Sequence, residues 1–241
     1  MPIPHIIHYC WFGGNEKPDN IKAFIKGWKE KLTDYTFVEW NESNFSIDDA
    51  PEYVKEAYSV KKYAFVSDVA RLQALATYGG IYLDTDVMVF KSLEPLLSYS
   101  AFAGFEGSKH LPIGTCIIGS EKNGVWVQEQ LQDYVDRVFI KDDGSFDTIT
   151  NVTFINQKMK ENGFIGDGKE QDYKDLHIFP VDYFCPRHTT GEYIRTDNTY
   201  CDHLGIGSWA NNCSNWKSRL LSLVSPRMRT KLIIIKRKLF G

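Results

Sequence analysis

The chain has 241 residues, 43% hydrophobic and 24% charged, which suits one soluble globular domain with insertions and excludes a disordered or fibrous protein. Its net charge of −3 hides an uneven distribution: eight of the 28 Lys and Arg lie between Trp216 and Gly241, where there is no acid. The rest is therefore acidic, which argues against a nucleic-acid-binding body. Five cysteines (Cys10, Cys116, Cys185, Cys201, Cys213) form no CxxC pair, so buried free thiols in a reducing compartment are expected rather than a disulfide framework. The start, MPIPHIIHYCWFGG, lacks the basic region and long apolar run of a signal peptide, and no stretch is apolar enough for a membrane span.

In chain order, Ile3 to Phe12 reads as a buried first strand closed by Gly13-Gly14, glycines that let a ligand approach the backbone. Trp11 at its end either stacks on a nucleobase or packs beside the sheet. Lys17 to Lys31 is an amphipathic helix with Ile21, Phe24, Ile25 and Trp28 on one face, and Tyr35 to Trp40 is a second strand. A short helix over Ala50 to Ala57 follows, with Pro51 near its start. The next helix begins near Val60. It carries Val66, Val69, Leu72 and Leu75 at helical spacing and stops at Gly79-Gly80. Ile81-Tyr82-Leu83 is then a short strand, followed by Asp84-Thr85-Asp86 and more strand through Phe90. This β-α-β-α-α-β order implies a Rossmann-like, mostly parallel central sheet flanked by helices, an α/β fold.

Beyond it, Ala101 to Phe105 and Thr115 to Ile118 read as strands, and Val125 to Phe139 and Phe154 to Asn162 as helices. Gly163 to Asp175 reads as loop, Leu176 to Val181 as a late strand, and Tyr200 to Leu204 as another strand. The domain is expected to end near residue 213. Residues 214–241 mix the eight bases with Leu, Ile and Val, split by Pro226. They are expected either to lie as basic amphipathic helices on an anionic membrane surface or to pack on the domain.

If the chain stays extended, Asp84 and Asp86 project to one side of the strand end. Hard carboxylate oxygens suit Mg²⁺ or Mn²⁺, whose other positions are shared with water and a substrate's phosphates. Asp68 and Arg71, three apart on the preceding helix, share a face. They form either an intrahelical salt bridge or a pair that meets a sugar hydroxyl and a phosphate. His5 and His8, three apart on a strand, face opposite sides and are not a metal pair.

A DxD triplet alone is a weak signal, but SDVARLQALATYGGIYLDTDV closely resembles the signature of the DxD glycosyltransferases of capsular-polysaccharide type, glycosyltransferase family 32. It is more distantly similar to the sugar-transferring domain of large clostridial toxins. The match lies at Ser67, Asp68, Arg71, Tyr78, Gly79, Gly80, Tyr82, Asp84 and Asp86, with IPHIIHYCWFGG similar to the family's first strand and HLGIGSW (His203 to Trp209) similar to its closing motif. Residues 106–199 carry no such match, and much of the acceptor site is expected there.

The resemblance implies a GT-A fold and retaining transfer of a sugar, from a nucleotide-sugar and first of all a UDP-sugar, to a saccharide hydroxyl. By position it implies donor binding by Trp11, Asp68, Arg71, Tyr82, Asp84, Ser208 and Trp209, and catalytic roles for Asp84, Asp86 and Arg71. Asp86 would be the principal ligand of Mn²⁺ or Mg²⁺, with Asp84 and His203 as further ligands; a structural histidine is the other reading of His203. The expected acceptor is a saccharide or lipid-linked saccharide in surface polysaccharide synthesis, at the inner face of the cytoplasmic membrane. The alternatives are a protein-modifying transferase and a non-catalytic nucleotide-sugar-binding protein.

Overall fold

A computed structural model describes residues 2–107, 112–187 and 193–206. The chain divides into two compact units, residues 1–203 and residues 204–241, and every described helix and strand lies in the first. The expected domain boundary at 213 and the basic tail lie outside the described residues. Among the described residues, no helix is long and apolar enough to cross a membrane.

The first half has the expected order: β1 (Ile6–Cys10), α1 (Asp19–Lys31), β2 (Thr36–Trp40), α2 (Glu52–Ser59), α3 (Tyr63–Tyr78) and β3 (Gly80–Leu83). Then come β4 (Val87–Val89), a 3-10 turn over Glu94–Ser98, β5 (Ala101–Gly104), β6 (Ile117–Ser120), α4 (Val125–Gln132) and α5 (Asn151–Glu161). The described residues close with β7 (Gln171–Tyr173), β8 (Leu176–Phe179), α6 (Val181–Phe184) and β9 (Cys201–His203).

Seven strands form one sheet in the order β2-β1-β3-β6-β5-β8-β7. Strands β2, β1, β3, β5 and β8 run one way and β6 and β7 the other, so the sheet is mostly parallel with two reversed strands. Strand β3 is buried along its whole length. Helix α3 packs with Val66, Val69, Leu72 and Leu75 fully enclosed, each such side chain contributing about 1.5–3 kcal/mol. Burial on nearly every side of α3 leaves it little amphipathic character and makes it an inner element.

The Gly79-Gly80 break has a steric cause. Both residues take positive φ, 68° and 110°, and a Cβ on Gly80 would stand 2.6 Å from the Ile6 carbonyl oxygen. Glycine there lets β3 enter the sheet directly beside β1. His8 secures the same junction, accepting from the Trp40 indole at 3.0 Å and donating to the Gly79 carbonyl at 2.8 Å. His8 is a structural residue, while His5 sits exposed beside Glu94.

Several expectations for the second half are corrected. The chain does not continue straight from β3: it turns at Thr85-Asp86, with the Val87 N–H bonded to the Asp84 carbonyl at 3.0 Å. Strand β4 then joins β9 in a separate two-stranded sheet. The buried Trp28 of α1 holds it there by donating to the Val87 carbonyl at 2.8 Å. Helix α4 is shorter than its apolar pattern suggested and ends at Gln132. Helix α5 starts earlier, at Asn151, because the Thr150 hydroxyl caps it through the Thr153 N–H. The polar stretch before β8 contains β7, an edge strand whose polar residues gave no apolar alternation.

Candidate active site

Parallel pairing brings the carboxyl ends of β1 and β3 to one edge of the sheet, with His8 opposite Tyr82. The segments carrying Trp11 and Asp84 leave from there, the place where α/β sheets bind ligands. Trp11 is half-buried; its indole N–H is tied to the Asn15 carbonyl at 2.7 Å, and Lys17 lies over its ring at 5.7 Å. That hydrogen bond fixes the indole in the loop after β1 rather than deep in the core.

Arg71 is the hub. It is 6% exposed, and its guanidinium faces Asp68 Oδ1 at 2.9 Å and Asp84 Oδ1 at 3.4 Å through Nη2. Nη1 donates to the Thr115 carbonyl at 2.8 Å and Nε to the Ser67 carbonyl at 3.2 Å. The guanidinium lies over the Tyr82 ring, 4.6 Å from its centroid. The Tyr82 hydroxyl in turn donates to Asp84 Oδ1 at 2.9 Å. The salt-bridge reading of Asp68 and Arg71 is therefore realised. Four protein acceptors engage the Arg71 donors, Asp84 among them, so the guanidinium and the first DXD carboxylate are held together.

Electrostatics follow burial. Asp68 is pushed up to about 6, because desolvation outweighs the attraction of Arg71. Glu106, enclosed after β5, is also raised by burial, with His203 acting the other way. Burial works against a charged His203, yet Cys116 and Asp86 beside it outweigh that and raise it well above its ordinary value.

Asp86 is 8% exposed. The antiparallel register of β4 and β9 pairs Val87 with His203, which delivers the imidazole to Asp86: Nε2 lies 3.4 Å from Oδ1. Asp84, Asp86 and His203 each offer one ligand atom within 4.8 Å of the others. Two carboxylates and an imidazole form a donor set that fits Mn²⁺, and Mg²⁺ less well because of the nitrogen. The turn, not an extended strand, brings the two carboxylates together.

Sequence reasoning missed the contribution of the unmatched middle region. Cys116 accepts the Asp84 N–H through its carbonyl at 2.8 Å. Asn156 of α5 holds the preceding segment through both polar groups of Ile113, at 2.8 and 3.0 Å. Cys10 lies fully buried beside Arg71, Tyr82 and Asp84. Nothing in the spacing of these residues ties them to Asp84. Arg187 is paired with the buried Asp202 at 3.0 Å. Ser208 and Trp209 lie outside the described residues.

Residues 18–103 match the family model described as a glycosyltransferase sugar-binding region containing a DXD motif. An inositol phosphoceramide mannosyltransferase of Schizosaccharomyces pombe is 36% identical over 103 residues, 42% of this chain but only 29% of that protein. An uncharacterized glycosyltransferase of Acanthamoeba polyphaga mimivirus is 27% identical over 225 residues, 86% of this chain and 84% of the relative. Among solved structures, the PaToxG glycosyltransferase superposes with a TM-score of 0.50 at 19% identity, covering 67% of this chain and 70% of its own, a likeness of fold. Asp84-Thr85-Asp86 is the DXD triplet within the span that matches the glycosyltransferase sugar-binding model, and the domain has a GT-A fold.

Proposed function

We propose that this protein is a metal-dependent, retaining glycosyltransferase that moves a sugar from a nucleotide-sugar, first of all a UDP-sugar, to a saccharide hydroxyl. The observation that carries the reading is the convergence of Asp84, Asp86 and His203 within 4.8 Å at the sheet's carboxyl edge. Asp86 and His203 hold the divalent ion, and Asp84 divides its oxygens. Oδ1 is occupied by Tyr82 and Arg71, and the other oxygen serves the metal or a sugar hydroxyl. The bound ion supplies positive charge opposite the diphosphate as the anomeric C–O bond breaks.

The remaining work belongs to the chain. Arg71 adds a permanent positive charge that holds Asp84 in place. Trp11 offers its ring face to the base. Asp68, at about 6, is poised as an acceptor for a donor hydroxyl once ionised. No described carboxylate is set up as a covalent nucleophile. The acceptor oxygen therefore attacks the face from which the diphosphate departs, its proton passes to the leaving phosphate oxygen, and the configuration is retained. A trapped glycosyl-enzyme adduct would count against this path.

The relative named for inositol phosphoceramide mannosyl transfer supports a lipid-linked acceptor and adds mannosyl donors to the screen. Residues 214–241, with their bases and aliphatic residues, supply the membrane contact, and surface polysaccharide assembly at the inner face of the cytoplasmic membrane is the setting. The test is a donor-hydrolysis screen over nucleotide-sugars with Mn²⁺. Asp86→Ala abolishes whatever turnover appears; unchanged turnover in that variant rejects the metal assignment.

A further inference from the structure

His203 also belongs to a second cluster, whose other three members the proposed transfer does not use. Glu106, Cys116, Cys185 and His203 also each place one ligand atom within 4.8 Å of the others. They come from four separate places: the end of β5, the approach to β6, the end of α6 and the end of β9. Both cysteines are buried and free, with Sγ atoms 3.6 Å apart. A disulfide needs about 2.04 Å. The S–S edge of a tetrahedral zinc dithiolate, with bonds of about 2.3 Å, measures about 3.8 Å. The separation rules out a disulfide and lies close to that edge, while in the absence of an ion it is a thiol–thiol hydrogen bond.

The chemistry of the set agrees. Two thiolates, an imidazole and a carboxylate complete four-coordination from protein alone, the pattern of a closed zinc site. Thiolate favours Zn²⁺ over the harder Mn²⁺ and Mg²⁺, whereas Asp84 and Asp86 favour the latter.

We propose that Cys116, Cys185, His203 and Glu106 form a zinc site adjoining the DXD carboxylates, and that zinc bound there draws His203 away from Asp86. On binding, each thiol releases its proton to solvent and gives its electron pair to the ion. With His203 engaged, the carboxylate pair is left with one protein ligand fewer for Mn²⁺. The main-chain carbonyls of Thr115 and Cys116 accept from the Arg71 guanidinium and the Asp84 N–H, which ties the same segment to the donor side. Zinc is therefore an inhibitor of Mn²⁺-supported transfer. This inference goes beyond the proposed transfer, and its site is tested independently of activity.

The probe is Co²⁺, titrated into the full chain kept reduced with a phosphine. A near-ultraviolet thiolate-to-cobalt charge-transfer band is expected, saturating at one equivalent and bleached by one equivalent of Zn²⁺. Cys116→Ser and Cys185→Ser each weaken the band, since one thiolate remains in each, and the double variant loses it. Asp86→Asn and Cys213→Ser keep it, since neither changes one of the four ligands. To cover a Cys116→Ser variant that fails to fold, wild-type protein is also alkylated with and without Zn²⁺ and mapped by peptide. Zinc then slows alkylation of Cys116 and Cys185. Absence of the band in reduced wild-type protein, its survival in the double cysteine variant, or equal alkylation with and without zinc overturns the proposal. Loss of transferase activity in Asp86→Asn with the band intact leaves the zinc site standing, so the two readings fail separately.

Discussion

Replacing Arg71 by methionine removes a buried charge and leaves most of the stem volume. In the structure that charge faces Asp68 at 2.9 Å and Asp84 at 3.4 Å, and its neighbours Thr115 and Ser67 each lose a donor. Removing one partner of a buried pair costs about 3–5 kcal/mol, because the other charge stays behind uncompensated. Lost stacking on Tyr82 adds about 0.5–2 kcal/mol. The cost depends on pH in a definite direction. Asp68 titrates at about 6 in the folded protein against an ordinary 3.8. A raised carboxyl contributes stability that is complete below the unfolded value and is lost as pH rises through the folded one. Without Arg71 the folded value rises further, so the variant loses more than the wild type as pH climbs beyond about 6.

Urea unfolding at pH 5, 7 and 8 measures this. We expect a loss of about 4 kcal/mol at pH 8 and a smaller one at pH 5, where the proton already neutralises Asp68. Arg71→Lys should fall between, since an ammonium cannot reach four acceptors spread around a planar fork. A loss under about 1 kcal/mol at pH 8, or a larger loss at pH 5 than at pH 8, would refute the assignment of Arg71 as the buried hub.

Further substitutions probe the site and its scaffold from other directions. His203→Ala should raise the Mn²⁺ concentration for half-maximal turnover about tenfold or more, with a smaller change in turnover at saturating Mn²⁺; an unchanged requirement means that His203 does not ligate the ion. Gly80→Ala meets the Ile6 carbonyl oxygen at 2.6 Å with φ at 110° and should lower unfolding stability by about 3 kcal/mol. Gly14→Ala, with φ at 66° but no atom within 4 Å, should cost about 1–2 kcal/mol; equal losses at the two sites would show that backbone strain, not the close approach of β1, decides.

What could be read from the chain was what is local along it. The three-residue interval between Asp68 and Arg71 puts them on one helical face wherever the helix lies. Gly79-Gly80 must break that helix because both need positive φ. Ile81 to Leu83 is apolar because β3 has neighbours on both sides, and the β-α-β order implies the parallel half of the sheet. Tertiary structure decided what depends on partners far away. Val87 leaves the main sheet because β9 and Trp28 offer its backbone partners 116 and 59 residues distant along the chain, and no residue near the DXD motif records that. The placement of Arg71 depends on the Thr115 carbonyl, a main-chain atom that any residue at that position would supply. Glu106, Cys116 and Cys185 are ordinary residues one by one; only the packing of β5, β6, α6 and β9 brings their ligand atoms to His203. Periodicity and spacing act within a few residues, whereas a site is a coincidence of chain ends, and that coincidence is set by how the sheet stacks its strands.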